Sequence, residues 1–209
     1  MSVITIVGSG MMGSAMSVPA SDNGHEVRLV GSPLDGEIIS RMKKDGFHIT
    51  LNRKLPKTVK PYYVDELDSA LKGADLVIGG ISSFGVEWFA QSVLPKVDKS
   101  VPVLSVTKGM SVGNDGSLVP FPIMLSKRPG LEELSLNAIG GPCICFELCD
   151  HKQTEVAYCG KDIKTLEKIR DMLSTDYYHI RITTDIYAVE CAVAMKNAYA
   201  MGVSLAIGL

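Results

Sequence analysis

Three places in this 209-residue chain carry residue types that could do chemistry. Gly8-Ser-Gly-Met-Met-Gly13 has the G-x-G-x-x-G spacing that lets a backbone turn tightly, approach a pyrophosphate and pack a helix on a strand. Lys108 stands alone in Val106-Thr-Lys-Gly-Met110, directly after an apolar run. Lys196 is followed by Asn197 in a stretch whose only other charges, from residue 185 onward, are Asp185 and Glu190. An ammonium group can stabilise negative charge developing on an oxygen and return a proton to it. The combination suggests a redox step beside a bound dinucleotide. A loop lysine is by default a solvated side chain, so Lys108 draws attention through its position alone. Lys196 is costly on a buried helix unless it faces a cavity or partner, and Glu190, six residues earlier, is off its helical face.

The elements needed to position these residues are legible as alternating patterns. Apolar runs at 4–7, 27–30, 76–81, 101–106 and 136–139 read as strands, and 11–21, 34–45, 86–94 and 120–126 as helices. Strand–helix alternation implies parallel pairing, so the fold class is α/β, a doubly wound, Rossmann-like, mostly parallel sheet. In such a sheet ligands bind beyond the carboxyl ends of the strands, which directs Lys108 toward a cleft. Pro19 should kink or end the helix after the glycine loop, and residues 46–60 lack periodicity and read as loop. Asp65, Glu66 and Asp68 suit the first turn of a helix. Past Gly140, segments 155–159 and 178–183 are β-rich with an amphipathic helix over 161–173 between them. Residues 185–209 form a long helix, apolar all round and rich in Ala, Gly and Ser, which calls for burial. The expected division is therefore a dinucleotide-binding domain over 1–184, and over 185–209 the first long helix of an otherwise missing all-α domain.

Composition narrows the alternatives. A formal net charge of −2 gives no basic face for nucleic acid. No basic segment with a cleavage site opens the chain and the apolar stretch after Asn197 is too short to span a membrane, so a cytoplasmic protein is expected. Five cysteines cannot all pair and fit reduced thiols. Cys143, Cys145, Cys149 and His151 alternate in a way that tempts a zinc reading, but paired C-x-x-C spacing is missing and no metal is expected. His25 reads as structural; His48 and His179 have no identifiable partner. Met11 and Met12 are expected to pack under the cofactor. Where a ribose-reading acid is expected, the chain has Val30-Gly-Ser-Pro33, and the first carboxylate is Asp35. No obvious cation awaits a 2′-phosphate, which favours NAD and leaves NADP open.

In order along the chain, Gly8-Ser-Gly-Met-Met-Gly13, Asn23-Gly-His-Glu-Val27, Ser82-Ser-Phe84, Ser105-Val-Thr-Lys-Gly109, Gly140-Gly-Pro142 and Glu190 through Asn197 resemble the NAD(P)-dependent glycerol-3-phosphate dehydrogenase family. The resemblance implies hydride transfer between a nicotinamide and glycerol 3-phosphate or dihydroxyacetone phosphate, a small phosphorylated polyol pair. It makes Lys196 the catalytic acid/base, Lys108 the group that orients and polarises the substrate oxygen, and Asn197 part of the substrate site. Gly8, Ser9, Gly10, Met11, Met12, Gly13, Ser32, Ser82, Ser83, Phe84, Gly141 and Pro142 would hold the cofactor. Family members are longer, form homodimers, and carry an aspartate and an Arg-Asn pair in a helical C-terminal domain. Here no arginine follows Arg181, so a truncated chain that binds dinucleotide and turns over poorly is expected. Two other readings stand beside it: a different reductase of the same superfamily, of ketopantoate or hydroxy-acid type, and a non-catalytic dinucleotide-binding module.

Overall fold

The computed structural model describes residues 1–113 and 115–208. Strand β1 (Val3–Val7) leads through the glycine loop into α1 (Met11–Ala15) and α2 (Ser17–Asp22), then β2 (Glu26–Val30) and α3 (Gly36–Asp45). A short hairpin, β3 (Phe47–His48) and β4 (Arg53–Lys54), precedes β5 (Val59–Tyr62) and α4 (Leu67–Leu71). Next come β6 (Leu76–Gly79), α5 (Val86–Ser92), β7 (Val103–Ser105) and a second hairpin, β8 (Met110–Val112) with β9 (Leu118–Pro120). The chain continues through α6 (Phe121–Leu125), β10 (Leu136–Gly140), α7 (Cys145–Cys149), β11 (Thr154–Cys159), α8 (Ile163–Leu173) and β12 (Tyr178–Thr183) to the long helix α9 (Ile186–Gly208).

Eight strands form one sheet in the order β12-β11-β10-β7-β6-β1-β2-β5, parallel throughout except between β10 and β11. This is the doubly wound α/β architecture expected from the alternating pattern. The order of connection reverses at β1, between β2 and β6, and a crevice opens at such a switch point. Register makes the crevice usable: Val7 is level with Val30 on one side and Gly79 on the other, so three strands end at one edge. Apolar residues cover both faces. Ile4, Ile6, Leu29, Ile78 and Leu104 pack with Tyr158, Leu166 and Tyr178, while Val7, Val30 and Val77 pack with Phe89, Leu94 and Val103 on the other face. Burying such side chains contributes on the order of 1.5–3 kcal/mol each, which holds the crevice rigid.

Local differences from the sequence pattern have physical reasons. The helix over 11–21 is broken at Met16, and Pro19 falls in the first turn of α2, where its missing N–H has no intrahelical partner to lose. Residues 46–60 hold the β3–β4 hairpin and the start of β5 rather than plain loop. Strand β5 contains Pro61 and is tolerated because it lies at the sheet edge.

Helix α9 departs most from expectation. Its length is as read, with Leu209 outside the described residues, but it is not buried. Ile186, Glu190 and Val193 alone are buried, while Tyr199, Met201, Leu205 and Ile207 are largely exposed. The apolar residues are spread evenly around the helix, so only its first two turns meet the sheet, where Val189 and Val193 occupy the space beside the side-chain-free Gly140 of β10. By length and composition α9 could cross a membrane, but the docked turns tie it to the sheet.

Candidate functional site

The glycine loop is held by backbone packed on backbone. Gly8 has a φ of +105°, and a β-carbon there would lie 2.7 Å from the Gly80 carbonyl carbon. A β-carbon on Gly13 would lie 2.9 Å from the Gly80 α-carbon, and one on Gly80 would lie 2.7 Å from the Gly13 α-carbon. Gly8, Gly13 and Gly80 thus form a contact in which none tolerates a side chain. The sequence reading places Gly80 inside the apolar run 76–81 and gives it no role; the strand in fact ends at Gly79, and the Gly79-Gly80 pair was the available signal. Gly10 is different. Its backbone is ordinary (φ −66°, ψ 171°), and a β-carbon would meet nothing closer than the Gly80 oxygen at 3.9 Å. The protein itself does not need glycine at position 10. A group that must lie against the backbone there does need it, and the first-turn N–H groups of α1 face such a group as donors.

Two polar side chains, half-buried Asp35 and buried His48, brace this loop. Asp35 Oδ2 accepts hydrogen bonds from the Ser9 N–H at 3.1 Å and the Ser32 N–H at 2.7 Å, tying the loop to the end of β2. His48 is fully buried; its Nε2 donates to the Ser9 carbonyl at 2.9 Å, and its Nδ1 accepts from the Leu51 N–H at 3.1 Å. Burial lowers the His48 pKa, outweighing the Ser9 carbonyl's opposite pull, so the imidazole stays neutral with its proton on Nε2. His48, without a partner in the sequence reading, is a support of the glycine loop. His25 is structural as expected, accepting from the Ser2 N–H at 3.0 Å and meeting the Met172 carbonyl at 3.0 Å. His179 meets Gln153 at 2.7 Å.

Above the loop lies a trough with two connected halves. One is a cavity of about 490 Å³ lined by Gly10, Met11, Met12, Gly80, Ser82, Lys108, Cys143 and Cys145. The other, about 400 Å³, is lined by Gly8, Ser32, Pro33, Leu34, Asp35, Phe84 and Trp88. Gly10, Gly80, Ile81 and Ser82 belong to both, so the trough crosses the ends of β1 and β6 on either side of the loop. Leu34 and Phe84 are almost fully exposed at its rim.

Most residues expected to hold a cofactor therefore meet here: Gly8, Gly10, Met11, Met12, Ser32, Ser82 and Phe84, with Lys108 at the other end. Ser9 and Gly13 lie beneath as supports. Ser83, Gly141 and Pro142 are not among the lining residues; Gly141–Pro142 instead introduce the Cys143–Cys145 wall. Lys196 is half-buried and Asn197 exposed on α9, and neither lines the trough. Helix α9 packs against the β8–β9 hairpin that follows Lys108, so the two lysines occur on adjoining elements. No cluster of three or more metal-ligating side chains able to hold an ion occurs among the described residues, and His151 pairs with Asp22 at 3.0 Å instead.

One carboxyl is out of keeping with its surroundings. Glu190 of α9 is fully buried, neither oxygen has a hydrogen-bond partner among the described residues, and burial pushes its pKa up to about 7. Its folded value lies above the ordinary carboxylate value of 4.5, so the folded state holds a proton that the unfolded state releases across this window. Stability is therefore fully present below pH 4.5 and falls as pH rises through 7. Glu190→Gln, uncharged at every pH, should leave stability near the parent's at pH 5 and exceed it by roughly 3 kcal/mol at pH 8. Urea unfolding of both proteins at the two pH values checks this; parallel profiles would remove Glu190 as the source of the pH dependence.

A parallel sheet with its switch point at β1, a glycine loop shaped for a ligand and a trough running both ways from it define a dinucleotide-binding α/β domain of the Rossmann type. Residues 3–166 match the family model described as NAD-dependent glycerol-3-phosphate dehydrogenase N-terminus, and the chain belongs to that family. The NADP(+)-dependent glycerol-3-phosphate dehydrogenase of Archaeoglobus fulgidus is 32% identical over 203 residues, covering 97% of this chain and 59% of the relative. A glycerol-3-phosphate dehydrogenase [NAD(P)+] of Desulfotalea psychrophila is 27% identical, with 99% and 60% covered. In fold, the crystal structure of a glycerol-3-phosphate dehydrogenase from Coxiella burnetii superposes with a TM-score of 0.83 at 21% identity, covering 94% of this chain and 58% of that one. The chain thus spans about three-fifths of the length of these relatives.

Proposed function

We propose that this chain binds NAD(H) across the trough and belongs to an oxidoreductase that interconverts dihydroxyacetone phosphate and glycerol 3-phosphate. The observation that carries the reading is Gly10, a glycine whose lack of a side chain serves no packing partner and leaves room for a pyrophosphate against the loop. The Archaeoglobus and Desulfotalea relatives are named for this activity. The half lined by Leu34, Phe84 and Trp88 suits an adenosine, and the half lined by Met11, Met12 and Lys108 suits a nicotinamide with the substrate beside it. We assign residues 1–184 to dinucleotide binding and the helix from 185 onward to the substrate-facing part. The setting is a soluble, cytoplasmic enzyme that pairs with a second copy of itself.

A bound nicotinamide would supply the hydride. The chain's residues deal with the charge and the proton: as the substrate carbonyl becomes an alkoxide, an ammonium group can stabilise the oxygen and protonate it. Lys196 is assigned the proton, Lys108 the polarisation of the oxygen and Asn197 a hydrogen bond to substrate. Ser83, Gly141 and Pro142 keep a supporting place at the cofactor's edge.

Selectivity follows from Asp35. Its carboxylate lines the adenosine half, where no lysine or arginine lies among the described lining residues. A 2′-phosphate dianion there would face a like charge without a compensating cation. Trp88, the only tryptophan in the chain, lines the same half and is a built-in reporter. Titration of its fluorescence should give an NADH affinity roughly tenfold or more above that for NADPH, a gap of about 1.4 kcal/mol. Equal affinities would remove Asp35 as selector, and no response to either nucleotide would overturn the dinucleotide reading. With binding established, oxidation of NADH on adding dihydroxyacetone phosphate tests the reaction.

A further inference from the structure

Lys108 lines the nicotinamide half but is itself exposed, so its place is set by the backbone on either side of it. Backbone pairing toward β6 reaches as far as Val106, whose N–H donates to the Gly79 carbonyl at 3.0 Å. Beyond it, Thr107 is buried at 5% exposure, and its Oγ1 hydroxyl donates to the Ile81 carbonyl at 2.8 Å. The Thr107 N–H donates to Ser105 Oγ at 3.1 Å, which leaves the hydroxyl to reach across to the neighbouring loop. On the other side, Gly109 has a φ of +131°, and a β-carbon there would lie 3.3 Å from the Phe121 ring. Lys108 thus stands between a strapped residue and a turn that favours glycine.

The acceptor of the strap belongs to the cofactor loop. Gly80, Ile81 and Ser82 line both halves of the trough, so the Ile81 carbonyl lies in the segment across which a dinucleotide would run. Thr107 also faces a small space of about 20 Å³ lined by Val86, Phe89 and Phe121, which is apolar enough for a methyl group. A β-branched side chain is stiff at χ1, so the hydroxyl is held toward Ile81 at little further entropic cost.

We infer that Thr107 is a positioning residue, whose hydrogen bond to Ile81 fixes Lys108 relative to the cofactor loop and so holds the ammonium beside the nicotinamide. Its effect is exercised through Lys108. The inference rests on the placing of the nicotinamide and substrate beside Lys108 proposed above. One neutral hydrogen bond shifts an equilibrium of this kind about two- to tenfold. Thr107→Val keeps the branched outline and removes the donor, whereas Thr107→Ser keeps the donor and removes a methyl group. Thr107 does not line the adenosine half, so binding there is a separate reading of the same protein.

The test follows Lys108 itself in the 209-residue protein. Limited acetylation by acetic anhydride, with peptide mapping by mass spectrometry, compares the rate at Lys108 with that at Lys164, an exposed lysine of α8. In the parent, saturating NADH should slow acetylation of Lys108 about tenfold, and ADP-ribose, which lacks the nicotinamide, less than about twofold. Thr107→Val should cut the protection by NADH to about threefold or less, while its ADP-ribose affinity by Trp88 fluorescence stays within about threefold of the parent's. Thr107→Ser should restore parental protection. Thr107→Ala removes the donor with a smaller side chain and should behave as valine does, which keeps the test open if valine disturbs the fold. Parental protection in the valine or alanine variant, no restoration by serine, or an equal loss of ADP-ribose affinity would each overturn the inference. Parent protein that binds NADH without protecting Lys108 would instead show that the nicotinamide assignment has failed, and the inference would fall with it.

Discussion

Gly10→Ala should leave the melting temperature within a degree or two of the parent while weakening NADH binding on the order of 100-fold or more. The two halves of this result have separate causes. Alanine at position 10 keeps an unstrained φ of −66° and meets no protein atom closer than 3.9 Å, so the folded state loses nothing. The methyl group would occupy the space in which a pyrophosphate must touch the loop, and the charged hydrogen bonds that depend on that approach would be lost. Gly13→Ala provides the contrast. Its β-carbon would press on the Gly80 α-carbon at 2.9 Å and on the Gly8 carbonyl, so backbone must shift and the protein should lose about 1–3 kcal/mol as well as nucleotide affinity. Melting followed by differential scanning fluorimetry, with Trp88 titrations alongside, distinguishes the cases. A Gly10→Ala protein that binds NADH normally would show that the trough is not used as proposed.

The same loop illustrates what could be read from the sequence and what could not. Runs such as Leu76-Val-Ile78 announced themselves because a parallel strand is buried on both faces and must be apolar throughout. The glycine loop was legible because its spacing encodes local geometry between neighbouring elements. Asp35 and His48 were seen as residues but not as braces, since each reaches Ser9 across the fold, 26 and 39 residues away. Gly80 was hidden for the same reason: its need to be glycine comes from Gly8 and Gly13, not from its neighbours in sequence. Strand β5 escaped because Pro61 argues against a strand anywhere but an edge, and periodicity does not say which strand is outermost. In α9 composition specified an apolar helix but not its contact face; Ile186, Glu190 and Val193 meet the sheet and the later turns do not.

Lys196→Ala should lower dihydroxyacetone phosphate-dependent NADH oxidation about 10²–10⁴-fold, the usual range for loss of a positioned acid. This corresponds to roughly 3–5 kcal/mol of transition-state stabilisation. The Trp88 response to NADH should be unchanged, because Lys196 is not among the residues lining either half of the trough. That separation makes the experiment informative. Lys108 is in the cavity wall, whereas Lys196 lies on α9, whose docked turns pack against β10 and the β8–β9 hairpin leading from Lys108. One lysine thus stands on the exposed loop between β7 and β8, and the other on a helix attached through Ile186, Glu190 and Val193. The relatives extend well beyond the matched region, so the assay is best made on the 209-residue chain and on a fusion carrying the remaining length of the Archaeoglobus protein. Loss of turnover in Lys196→Ala with NADH binding intact would support its role as proton donor. Full turnover in that variant, together with its loss in Lys108→Ala, would transfer proton donation to Lys108 and leave α9 as a structural strut.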